Sequence, residues 1–101
     1  MRILIPAILL ALTSGVFAQE HSVRRPQGYV PDAATAVRIA VAVWTPIYGA
    51  ARIARQRPYT ASLSGGRWTV EGSLPRGMLG GTAIAVIAQE DGRVLRISHG
   101  R

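Results

Sequence analysis

The chain has no cysteine, no lysine and only five acidic residues among 101. Without cysteine there is no disulfide, no thiol nucleophile, no cysteine-ligated zinc and no iron–sulfur cluster. Five acids and two histidines leave few groups for acid–base or metal chemistry. The length allows one small domain and rules out a multidomain enzyme. What the chain does have is arginine: all twelve cations are Arg, for a formal charge of +7. Such a balance resembles that of a nucleic-acid- or membrane-binding protein, but part of the count sits in a segment of another kind.

That segment is the first eighteen residues. Met1-Arg2 gives a short positive start, Ile3 to Leu12 is an apolar run interrupted by Pro6, and Val16-Phe17-Ala18 closes the stretch. Small residues three and one positions before a cut suit signal peptidase, so residues 1–18 read as a signal peptide cleaved after Ala18. The apolar run is about half of the roughly 20 residues that a membrane span needs. The expectation is an exported, periplasmic protein that does not span the membrane once cleaved. It would have 83 residues, with eleven Arg against five acids. A domain this small buries only about 60–65% of its unfolded surface. Without disulfides its stability comes from packing or from a partner.

Residues 19–27 are polar and basic, include Arg24-Arg25-Pro26, and read as a flexible lead-in to a domain at 28–101. Asp32 is a good N-cap for a helix from Ala33 to about Tyr48, ended by Gly49. Its inward stripe is expected at Ala36, Ala40, Val43 and Ile47, flanked by Ile39 and Trp44. From Gly49 the period changes from helical to alternating. A short strand is expected at Ala51–Ala54 around Ile53, and a second from Tyr59 to Ser64. Gly65-Gly66 signals a two-residue hairpin that sets Leu63 opposite Trp68 and Ala61 opposite Val70. Four Gly and a Pro in residues 72–81 exclude regular structure there. Thr82–Gln89 and Arg93–Ser98 read as the last two strands. A two-residue Asp91-Gly92 turn between them would pair Leu95 with Ala88, Ile97 with Val86 and His99 with Ile84, and would turn that row toward the helix. The expected fold class is α+β: one N-terminal helix packed on an antiparallel meander of four to five strands. Its open face would carry Thr60, Ser62, Arg67, Thr69, Glu71, Ile87, Val94 and Arg96.

The candidates for chemistry are few. Glu20 and His21 lie in the lead-in, Asp32 is used in capping, and Glu90 and Asp91 belong to a turn. Glu71 and His99 remain on ordered elements, with nothing to tie them together. No catalytic residue, metal ligand or cofactor is assigned. Two His separated by most of the chain make no metal-ligand spacing. The glycine-rich loop lacks the Lys-Ser/Thr ending of a phosphate cradle and no helix follows it. Trp44 and Trp68 read as core residues, and His99 as the residue closing the core on the last strand. The arginines are dispersed, and the open sheet face has no aromatic residue for stacking, so nucleic acid is not the expected partner.

Several segments resemble a known family in order and with similar spacings. They are Gly28-Tyr29-Val30-Pro31-Asp32-Ala33-Ala34-Thr35-Ala36; Trp44 through Pro46-Ile47-Tyr48-Gly49; Arg57-Pro58-Tyr59; Trp68-Thr69-Val70-Glu71-Gly72-Ser73-Leu74-Pro75; Gly77; Gly80-Gly81; and Asp91-Gly92-Arg93-Val94-Leu95-Arg96-Ile97-Ser98-His99-Gly100. The chain is similar to the NTF2-fold immunity protein family, also labelled YbbC/YhhH, over roughly residues 28–100. The resemblance implies an NTF2- or cystatin-like α+β domain that binds a cognate bacterial toxin and blocks it, with no catalytic residues to carry over.

The basic charge implies a toxin with an acidic contact surface, because complementarity sets partner choice and association rate. Export points to a toxin that attacks the envelope; a glycosidase cleft, lined with carboxylates that Arg could occupy, is one such target. The competing readings are a periplasmic cystatin-like protein for an envelope peptide or anionic surface, and an NTF2-like ligand pocket between helix and sheet. For a protein interface the expected contacts are Arg67, Arg76, Met78, Leu79 and Arg96, on the open sheet face and the loop. Arg and Met are enriched in interface cores and Lys and acids depleted.

Overall fold

A computed structural model describes residues 20–100. The signal-peptide expectation at residues 1–18 lies outside them. The elements run α1 (Ala33–Tyr48), α2 (Ala50–Ala54), β1 (Thr60–Ser64), β2 (Arg67–Glu71), β3 (Ala83–Ala88) and β4 (Val94–His99). The four strands form one antiparallel sheet in chain order, and α1 packs across β1, β2 and β3. This is the α+β meander expected from the sequence, with four strands.

Helix α1 starts where its cap chemistry starts. The Thr35 amide donates to Asp32 Oδ1 at 2.8 Å, and the Thr35 hydroxyl donates to the same oxygen at 2.6 Å. This satisfies an amide that the first helical turn leaves without a partner. The helix ends at Gly49, whose φ of 94° suits a residue without Cβ and whose amide donates to Thr45 O at 2.9 Å. It runs through Pro46, which cannot donate to the preceding turn.

The buried stripe is Ala36, Ala40 and Trp44, all at 0% exposure. The expected stripe placed Val43 and Ile47 there instead. Val43 is half-buried and Ile47 is 56% exposed. The stripe turns toward Trp44 because the indole is the largest apolar group on the helix. The two alanines in turn let the backbone sit close to the sheet.

The strand expected at Ala51–Ala54 is helix α2. Ala-Ala-Arg-Ile-Ala is made of good helix formers except for Ile. After the break at Gly49 a new turn begins, with the Ile53 amide donating to Gly49 O at 3.1 Å. Ile53 is buried, so α2 contributes one core side chain.

The first hairpin has the expected register. Leu63 faces Trp68 and Ala61 faces Val70, and Gly65 and Gly66 both have positive φ, 58° and 75°. That is the backbone a two-residue turn needs to match strand twist.

The second hairpin differs. Its connection is the four residues Gln89–Gly92, closed by the Ala88 amide donating to Arg93 O at 2.9 Å. Asp91 holds the loop by accepting from the Arg93 amide at 3.0 Å. Leu95 is then an extra residue: Ile87 pairs with Val94, but Val86 pairs with Arg96. From there the register is Ala85 with Ile97, Ile84 with Ser98 and Ala83 with His99.

This shift reverses the rows expected for β3. Ala83, Ala85 and Ile87 are the buried residues facing the helix, while Ile84 and Val86 lie half-buried on the open face. Ile87, expected on that open face, is in the core at 0% exposure. Leu95, expected inside, is 41% exposed. Ala83, Ala85 and Ile87 join Ala36, Ala40 and Trp44 in one buried cluster.

The core is thus Val30, Ala36, Ala40, Trp44, Ile53, Trp68, Val70, Ala83, Ala85 and Ile87. Both tryptophans belong to it, as expected. Val30 is brought in from the segment before α1, whose carbonyl accepts from Trp68 Nε1 at 2.8 Å.

Candidate partner-binding surface

The expected contact residues fall into two regions. Arg67, Thr69 and Glu71 of β2 share a face with Thr60, Ser62 and Ser64 of β1 and with Ile84 and Val86 of β3. Arg96 joins them from β4, because it pairs with Val86. No described helix lies across this face. Arg67 and Arg96 are therefore exposed on one surface, one strand apart and two positions out of line. Strand spacing puts their Cα atoms about 10–12 Å apart.

Arg76, Met78 and Leu79 lie elsewhere. They occupy the connection from β2 to β3, at the end of β2 opposite Arg67. Pro75 O accepts from the Met78 amide at 3.0 Å, and Gly77 has a φ of 79°. This tight turn leaves Met78 57% and Leu79 96% exposed. The structure therefore does not bring the five residues into one patch.

The base of that loop is fixed. Gln56, at the end of α2, accepts from the Ser73 amide through its carbonyl at 2.7 Å and from the Ala83 amide through Oε1 at 2.8 Å. A Cβ on Gly72 would come within 2.3 Å of that Oε1, so glycine is required for the side chain to reach. A lone Gln between elements carries no signal in the sequence, so Gln56 is legible only in the structure.

His99 does not close the core. It is exposed, and its Nδ1 lies 3.0 Å from Tyr48 Oη, with the two rings edge to face at 5.6 Å. With Arg52, Gln56 and Ala83 they line a recess of about 240 Å³ between the C-terminal end of α1 and the edge of the sheet. This is smaller than the roughly 300–1,000 Å³ of small-molecule sites. Deeper between helix and sheet, Trp44, Val70 and Ile87 fill the space.

A larger groove, of about 730 Å³, lies at the other end of the sheet. The chain before Tyr29 forms one wall, and the Gly65-Gly66 turn and the β3–β4 connection form the others. The start of the domain, just after the expected lead-in, is tied here: the Gly28, Tyr29 and Val30 amides donate to Arg25 O, Glu90 O and Gln89 O, each at 3.0 Å. Gly28 has a φ of 79°, and a Cβ on it would sit 2.3 Å from Gln89 O. Only glycine lets the two backbones meet at this distance.

The acids are spoken for or isolated. Asp32 caps α1 and its carboxyl is held below its ordinary pKa, first by the side-chain hydrogen bond from Thr35, then by the Thr35 amide, with smaller contributions from Arg38 and Arg25. Asp91 Oδ2 pairs with Arg93 at 2.8 Å. Among the described residues no group of three or more His, Asp or Glu is placed to hold a metal ion. Among the same residues no helix is long and apolar enough to cross a membrane.

No curated protein and no solved structure matches the chain. A family profile does, over residues 35–101, and its description is NTF2 fold immunity protein. The match begins in the first turn of α1 and takes in α2 and all four strands. By that match, the chain belongs to the NTF2-fold immunity protein family.

Proposed function

We propose that this protein is an exported immunity protein that binds a cognate toxin and blocks it by occluding its active site. The observation that carries the reading is the family match across the whole helix-and-sheet unit. Three features support it. Asp32 serves as a helix cap and Asp91 holds a turn. The open sheet face and the 72–81 loop offer Arg67 and Arg96, and Arg76, Met78 and Leu79, as exposed contacts. The signal-like pattern of residues 1–18 supports export of the mature chain. The protein acts by binding and needs no cofactor, and its excess of arginine selects an acidic surface on the toxin.

The reading expects a toxin gene beside this one. Co-expressing the two tests it: cells with the toxin and the full chain should grow, and cells with the toxin alone should not. Arg76→Glu/Arg96→Glu should weaken protection while the domain keeps its fold by circular dichroism. Growth arrest despite abundant folded protein would overturn the reading. Export is tested by the N-terminus of the protein recovered from the periplasm, expected at Gln19.

A further inference from the structure

The region matched by the family begins only at residue 35, so the segment before α1 lies outside it. Yet that segment walls the groove of about 730 Å³, and it brings charge with it. Arg24 and Arg25 line the groove from one side, Arg67 from the first hairpin and Arg93 from the β3–β4 connection. Four arginines thus come together from three stretches of chain far apart in sequence.

Two acids, Glu90 and Asp91, share the lining. Asp91 is engaged with Arg93. Arg24, Arg25 and Arg67 have no salt-bridge partner among the described residues. Like charges gathered without partners repel one another, so their gathering favours an anion that binds between them. Guanidinium groups present a planar fork that matches carboxylate and phosphate alike.

The walls are held in place. The chain from Arg25 to Val30 is hydrogen-bonded to itself and to the β3–β4 connection, and the Gln89 amide donates to Gly66 O at 2.9 Å, joining that connection to the first hairpin. Gly65 and Gly66 add no side chain, and a Cβ at either would meet nothing within 4 Å. The volume of about 730 Å³ falls within the roughly 300–1,000 Å³ of ligand sites.

We propose that this groove receives a carboxylate-bearing segment of a protein partner, with Arg24, Arg25 and Arg67 as the residues that bind it. Resting on the toxin-binding reading, the inference makes that segment part of the toxin. Glu90 and Asp91 favour protein over nucleic acid: they would repel an unbroken phosphate chain but can meet the cations interspersed on a protein surface.

The probe is a fluorescent ten-residue peptide of net negative charge in which glutamates are interspersed with lysines, titrated with the mature domain and followed by anisotropy at low and at moderate salt. Wild-type protein should bind it in a salt-sensitive manner. Arg24→Ala/Arg25→Ala should weaken binding about tenfold, and Arg67→Ala should weaken it as well. Arg55→Ala/Arg57→Ala removes the same two charges away from the groove and should change it by less than about twofold. Equal loss in both double variants would reduce the effect to net charge and overturn the proposal, as would no binding by the wild type. Tighter binding of a single-stranded oligonucleotide, lost in the same groove variants, would overturn it in favour of nucleic acid. If the Arg24/Arg25 variant unfolds, Arg67→Ala, on an exposed strand position, decides alone.

The same variants in the toxin assay separate the two readings. Full protection by Arg24→Ala/Arg25→Ala and by Arg67→Ala overturns the groove and leaves toxin binding standing. Failure of the wild type to protect overturns toxin binding, and the peptide titration then judges the groove by itself.

Discussion

Trp68 Nε1 donates to the carbonyl of Val30 across 2.8 Å of space and 38 positions of sequence. This one bond joins β2 to the segment that enters α1, and both residues are buried around it. It holds the chain at the point where the arginine-lined wall turns into the core.

Trp68→Phe keeps most of the ring but leaves Val30 O without that donor, so it should cost about 1–3 kcal/mol. Trp44 supplies the comparison, because its buried Nε1 has no hydrogen-bond partner among the described residues. Trp44→Phe removes an unpaired donor, which offsets part of the lost packing. Urea denaturation should therefore find Trp68→Phe the more destabilised of the two. The reverse order would mean that the bond to Val30 contributes nothing.

Gly28 and Gly77 share a φ of 79° but not the same surroundings. Gly77→Ala meets nothing within 4 Å and should cost only the left-handed backbone penalty, about 1–2 kcal/mol. Gly28→Ala adds a clash with the backbone of Gln89 and should cost clearly more. Thermal unfolding of the two variants measures the difference. Equal melting temperatures would contradict the close approach of the segment before α1 to the β3–β4 connection.

The β3 register can be tested through its isoleucines. Ile87→Ala should cost about 2–5 kcal/mol, as expected for a fully buried site. Ile84→Ala, on the half-buried open face, should cost less than half as much. The alternative register from a two-residue turn predicts the opposite order, so the two denaturation midpoints choose between them.

Asp32 gives the fold an acid-sensitive contribution. Its carboxyl titrates below its ordinary value in the folded chain, chiefly because Thr35 donates to the ionised form. A depressed folded pKa stabilises above the unfolded pKa, and that stability is lost as pH falls through the folded value. Asp32→Asn keeps a capping oxygen but cannot ionise. Its denaturation midpoint should fall less steeply than the wild type's on acidification below the ordinary carboxylate range. Parallel curves would remove Asp32 from the acid response.

Where local chemistry is decisive, the sequence is readable. Asp32 and Gly49 bound α1 as written, and Gly65-Gly66 sets the first hairpin to the residue. The second hairpin misleads because Asp91-Gly92 is the tail of a four-residue connection, and the extra Leu95 shifts the strand. Apolar residues fill both rows of β3, so alternation alone does not say which row is inside; the shift at Leu95 and the pairing of Ile87 with Trp68 set it. The Ala51–Ala54 stretch is four residues long, too short to display a period. On the surface, Arg67, Arg76 and Arg96 are exposed as their positions suggest, and chain order alone sets Arg67 and the 72–81 loop at opposite ends of β2. Arg24-Arg25-Pro26 reads in the sequence as part of a polar, basic lead-in. That it folds back beside Arg67 depends on Gly28 meeting Gln89, a contact between distant segments.

Inhibition of the neighbouring toxin by the purified mature domain tests the central claim most directly. The toxin's activity is measured while the domain is titrated in at concentrations well above the dissociation constant. The account predicts a linear fall to near zero, with an end point at a fixed stoichiometric ratio. Undiminished toxin activity in the presence of a large excess of folded domain would contradict it.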